Sequence, residues 1–136
     1  MKIRLLLLFL AMLFSSVTLM AQEVDSKTET QEEEVYSIVE TMPSFPGGQT
    51  ALNAYIQENL KYPQSALEDG IQGRVYVNFV VEKDGLISNV KVNRGIGGGC
   101  DEEAVRVVKA MPRWVPGVQR DQTVRVSYMM PIVFKL

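Results

Sequence analysis

A chain of 136 residues with 14 basic and 16 acidic side chains has room for one domain, and no basic stripe marks it as a nucleic-acid binder. It holds one cysteine, Cys100, and no histidine. A single thiol excludes an intramolecular disulfide framework. A metal site would need carboxylates alone, and no calcium-loop spacing is present. No metal and no cofactor is expected.

Residues 1–21 open with Lys2 and Arg4, continue as an apolar run over residues 5–14, and pass through Ser15, Ser16 and Thr18 to Ala21. That is the layout of a secretory signal peptide cut before Gln22. Leu19 is larger than a cut site prefers. Residues 3–21 also approach the minimum length of a membrane helix, so an uncleaved N-terminal anchor stays open. On either reading the remainder is exported. Losing Lys2 and Arg4 leaves twelve bases against sixteen acids. Six of those acids and one base fall in residues 22–34. Residues 22–41 therefore read as an acidic, flexible tail, in which Val35, Ile38 and Val39 either add a short strand or lie against the domain. Fully extended, such a tail reaches about 65 Å.

Residues 42–48, MPSFPGG, form a loop punctuated by proline and glycine. Over residues 50–60, Leu52, Tyr55, Ile56 and Leu60 recur at helical spacing. Tyr62-Pro63 ends that helix, and Pro63 suits the first turn of a short second one through Ala66 and Leu67, closed by Gly70. Residues 73–94 are the centre of the chain. Val75, Val77, Phe79 and Val81 alternate with Arg74, Tyr76, Asn78 and Val80, the period of a strand. Asp84-Gly85 has the residues of a two-residue hairpin turn. A second strand then carries Val90 and Val92 on one face against Asn89, Lys91 and Asn93.

After a glycine run over residues 95–99, Asp101 is placed to cap a helix whose first turn holds Glu102 and Glu103. Its expected buried stripe is Ala104, Val105, Val108 and Met111. Pro112 closes it, and Trp114 with Pro116-Gly117 makes a turn. The last strand covers residues 122–134, where Val124, Val126, Tyr128 and Met130 alternate with Arg125, Ser127 and Met129. Pro131 lacks a donor and assigns this strand to an edge. The first strand is the most apolar and belongs in the middle. The expectation is an α+β domain over residues 42–136: two layers, a three-stranded antiparallel sheet of order 2-1-3, and helices packed on one face.

The glycine run before a helix could cradle a phosphate, but three acids stand there and the Lys-Ser/Thr of a P-loop is missing. Cys100 has acidic neighbours and no histidine to serve as its base, which argues against a catalytic thiol. The carboxylates of residues 101–103 are explained by the helix dipole. Tyr62 and Trp114 read as core anchors. No enzyme constellation remains. What remains is the edge strand, a row of backbone donors and acceptors open to another chain's extended segment. The candidate partner-binding residues are Thr123, Val124, Arg125, Val126, Ser127, Tyr128 and Met129.

Residues 62–134 resemble the TonB C-terminal domain in the form common among Bacteroidetes. The marks are Tyr62-Pro63, residues 70–73 (Gly-Ile-Gln-Gly), Lys83-Asp84-Gly85, residues 100–104 (Cys-Asp-Glu-Glu-Ala), the segment from Pro112 to Pro116, and the ending from Pro131 to Phe134. The upstream MPSFPGGQTALNAYI resembles the lead-in of that subgroup. The resemblance implies a periplasmic module that binds the TonB box of outer-membrane transporters by strand addition and passes on force from an inner-membrane motor. Two departures stand out: no proline-rich spacer, and an N-terminus that looks cleavable. The box-binding half of the function therefore carries over better than energy transduction, and motor proteins are partners only if the chain is anchored. A second reading is an exported regulatory or dimerising module with this fold and no link to transport.

Overall fold

A computed structural model describes residues 34–136. The signal-peptide reading and most of the acidic tail lie outside the described residues. The elements are β1 (Val35–Tyr36), α1 (Gly48–Asn59), α2 (Gln64–Glu68), β2 (Gly73–Val81), β3 (Ile87–Arg94), α3 (Cys100–Lys109), β4 (Gly117–Gln119) and β5 (Gln122–Phe134).

The domain is α+β. Its long strands run β5-β2-β3, all antiparallel, with β2 in the middle. The side chains of Val75, Val77, Phe79 and Val81 are wholly removed from solvent, and Leu52, Ala66, Ala104 and Val108 from the three helices join them in one core. Burying four such side chains is worth several kcal/mol, at about 1.5–3 each.

The sheet is not the purely antiparallel, three-stranded one expected. β1 adds a parallel strand beside β5, and β4 pairs with the start of β5. The reason for β4 is a tight turn at Arg120 and Asp121, both at positive φ (50° and 61°). That geometry matches the right-handed twist of a hairpin, although neither residue is the usual Asn or Gly.

Two other local expectations change. The β2–β3 connection is a three-residue loop: Glu82 N–H donates to Leu86 C=O at 2.8 Å, and Gly85 N–H donates to Glu82 C=O at 2.8 Å. Gly85, at φ 85°, takes the left-handed position that closes such a loop. A Cβ there would lie 2.0 Å from the Trp114 carbonyl oxygen, so glycine lets the turn touch the Trp114 backbone. In α3 the buried residues are Cys100, Ala104, Val107 and Val108, with Val107 in place of Val105. The helix begins at Cys100, and spacing from that buried residue puts the stripe at positions four, seven and eight further on.

β3 keeps its apolar residues on the core through a bulge. Asn78 pairs with Lys91 and Val80 with Ser88, so Asn89 and Val90 together oppose Phe79. Asn89 takes up the strain at φ 50°. The bulge lets Ile87, Val90 and Val92 all pack on the core.

Candidate docking edge

The last strand has a definite sidedness. In an antiparallel pair, residues that exchange both backbone bonds alternate with residues that exchange none. Pro131, opposite Tyr76, has no N–H to exchange. Tyr76–Pro131 is therefore a non-bonded pair. The register is unbroken from Gly73↔Phe134 to Val81↔Val126, so even-numbered residues of β5 bond to β2. Ser127, Met129 and Val133 turn their N–H and C=O groups the other way, as do Arg125 and Thr123 upstream.

The seven candidate residues all lie on β5, but their neighbours differ. Thr123 and Val124 are opposite Val118 and Gly117 of β4. Arg125 and Val126 are opposite Val35 and Tyr36 of β1. Beyond Val126, no described strand pairs with the edge that faces away from β2. Pro131, Met129 and Val133 are exposed there, the last two at 53% and 50%.

A groove runs beside this edge, between β5 and α1. One part, of about 280 Å³, is lined by Leu52, Asn53, Ile56, Met129 and Pro131 among others. A second, of about 330 Å³, shares Asn53, Ile56, Pro131 and Val133 and adds Gln57. No lining residue of either part carries a charge. Sequence reasoning missed this groove, because it arises from α1 lying near the strand rather than from either element alone. The exposed face of α1, with Gln49 and Asn53, supplies amide groups beside the apolar floor.

Arg125 does not project from the edge as a guarding charge. Its guanidinium turns onto Glu82, with Nε donating to Oε2 at 2.6 Å and Nη2 to Oε1 at 3.1 Å. The bond from Arg125, against the opposing effect of burial and with help from Ser88, holds the Glu82 carboxyl below its usual range. The folded carboxyl thus binds its proton less tightly than the unfolded one. Its stabilisation is present at neutral pH and lost as pH falls below about 4.3 and through the folded value. Glu82→Gln should flatten the acid limb of stability in urea titrations between pH 7 and pH 3. An unchanged limb would contradict the pairing.

The other candidates are structural. Asp101 does not cap α3. Its Oδ1 accepts the N–H groups of Ile96 at 2.9 Å and Gly97 at 3.3 Å, and the capping position falls to Gly99. The carboxylate thereby fills the cradle that a phosphate would need. Cys100 is wholly buried, and burial first, then Asp101 and Glu102, push its thiol pKa up. It should not react with a disulfide reagent at pH 8 until the protein is unfolded in urea; rapid labelling of the native state would overturn this placement. Tyr62 donates its hydroxyl to Ile71 C=O and meets Phe134 edge to face. Trp114, 3% exposed, packs edge to face on Phe45, Phe79 and Tyr128. Among the described residues, no group of acidic or cysteine side chains is placed to hold a metal, and no helix is long and apolar enough to cross a membrane.

An α+β domain with an open sheet edge beside an uncharged groove has the form of a protein-interaction module. The family model of the Gram-negative bacterial TonB protein C-terminal region matches residues 58–136, and the chain belongs to that family. No curated protein matches the chain. Two solution structures of the Helicobacter pylori TonB C-terminal domain are similar. One shows 23% identity and a TM-score of 0.47, over 63% of this chain and 90% of that one. The other, a longer fragment, shows 21% identity and a TM-score of 0.44, over 64% of this chain and 80% of that one.

Proposed function

We propose that this protein is an exported, periplasmic TonB-like module that binds the TonB box of outer-membrane transporters by adding the box as a strand to β5. The observation that carries the reading is the edge beyond Val126, where no described strand pairs and an uncharged groove lies alongside. Backbone bonds hold the added strand, and alternate side chains enter the groove. A groove without charge favours apolar or amide side chains, because a charged one would lose its hydration there with no partner to compensate. Energy transduction is not part of the proposal.

The test is affinity capture from detergent-solubilised envelopes with the exported protein as bait. Recovery of transporters bearing an N-terminal TonB box is expected, and their loss on adding free box peptide. Recovery of the protein's own second copy alone would favour the dimerising reading instead.

A further inference from the structure

β1 lies on the same outward edge of β5 that the docking reading uses. Its register, Val35↔Arg125 and Tyr36↔Val126, places Tyr36 between Arg125 and Ser127, two of the residues that turn their backbone groups outward. In a parallel pair one residue bonds to the two that flank its opposite number. Tyr36 therefore occupies the edge from Arg125 to Ser127. What is left, Met129 and Val133, is split by the missing donor of Pro131. With β1 gone, Thr123, Arg125, Ser127 and Met129 would form one uninterrupted outward row.

β1 is built to leave. It has two residues, Val35 is 38% exposed, and Ile38 behind it is 84% exposed. The chain is anchored further on. Val39 is buried, and a Cβ on Gly117 would be only 3.2 Å from its side chain. Thr41 exchanges both backbone bonds with Val118 at 3.0 and 2.9 Å, and Ser44 does so with Val115 at 3.0 and 2.8 Å. Ser37 and Ile38 form the bend between the loose strand and the fixed segment. Peeling β1 back to that bend breaks nothing in the core.

We propose that β1 is a displaceable occupant of the docking edge, held in cis, and that residues 123–129 become a continuous site only when Val35 and Tyr36 have left it. The inference rests on the strand-addition reading and adds its regulation: the peptide's apparent affinity is set by competition with the chain's own N-terminal segment. A partner must displace β1 before it can use the full row, so affinity falls by the fraction of molecules in which β1 is bound.

The test locks β1 in place. Strands in register lie about 4.8 Å apart, within disulfide range, so the full chain carrying Val35→Cys and Arg125→Cys can be closed and reopened by redox. Cys100 is buried and does not interfere. Binding of a fluorescein-labelled synthetic TonB-box peptide is read by anisotropy. The oxidised form should bind at least tenfold more weakly than the same protein reduced. Equal affinity in the two forms would overturn the inference while leaving strand addition standing. Tyr36→Pro, which removes the donor of β1, gives an independent reading should the cysteine pair fail to fold. It should bind the peptide several-fold more tightly than the parent, since one or two backbone bonds are withdrawn from the competitor. Unchanged or weaker binding would count against displacement. No binding by parent, reduced pair or Tyr36→Pro would remove the strand-addition reading itself, and β1's role with it.

Discussion

Replacing Phe79 by alanine is expected to cost about 3–5 kcal/mol of folding stability. Phe79 has no exposed surface and sits on the central strand, facing Trp114 at a ring separation of 5.4 Å and Tyr128 at 5.6 Å. Trp114 is itself held by Phe45 and by its backbone N–H, which donates to Gly85 C=O at 2.9 Å. The void left at residue 79 cannot be filled by one neighbour's shift, because each of those rings is fixed on another side. A domain of this size has about 5–15 kcal/mol in hand, so the variant should retain its fold with a sharply lowered urea midpoint. A loss under 1 kcal/mol would mean that the aromatic cluster is not the centre of the core.

The second large effect separates fold from docking on a single strand. Proline removes one backbone donor and fixes φ. At Val126 and Tyr128, whose donors face β2, it should break the central ladder and unfold the domain. At Ser127 and Met129, whose donors face outward, it should leave the fold intact and abolish binding of a TonB-box peptide. Arg125→Pro should also fold, less the stabilisation of the Glu82 ion pair, and both it and Ser127→Pro disturb the seat of β1. The natural Pro131 shows that this strand tolerates proline at an odd position. Each lost bond is worth about 0.5–1.5 kcal/mol net, and the fixed φ adds a misfit to the incoming strand. Circular dichroism reports the fold and fluorescence anisotropy the binding. If every proline that preserves the fold preserves affinity, the partner docks elsewhere.

The contrast between positions 127 and 128 also shows how much the sequence could reveal. Alternation in residues 73–81 and 122–134 was enough to find both long strands, their faces and the central place of β2, because one buried face imposes a period of two. The strand order followed from polarity alone. Local chemistry was less informative where the backbone departs from common turns. Arg120 and Asp121 adopt positive φ without an Asn-Gly signature, so nothing in the sequence after the Pro116-Gly117 turn announces β4. Asn89 hides a bulge that no alternation rule anticipates. Asp101 looked like a cap and is instead a staple for the glycine loop, a choice made by the loop's own geometry. β1 lies within the segment left open between a short strand and a docked tail. It is too brief to show a period, and its pairing depends on β5 some ninety residues away in sequence, as the register Val35↔Arg125 makes plain. The groove is illegible for the same reason: it belongs to the space between α1 and β5, and neither segment's pattern encodes that space.

Backbone amide exchange by NMR, with and without bound TonB-box peptide, tests the central claim most directly. Amides facing β2, at Val126, Tyr128, Met130 and Ile132, should be protected in both states. Those of Thr123 and Met129 should gain protection on binding, while Ser127, bonded to Tyr36 in the free protein, should stay protected as the peptide replaces β1 and Tyr36 loses its own protection. Slowed exchange confined to the loops, to α3 or to β3, with no gain at Thr123 and Met129, would contradict strand addition on β5.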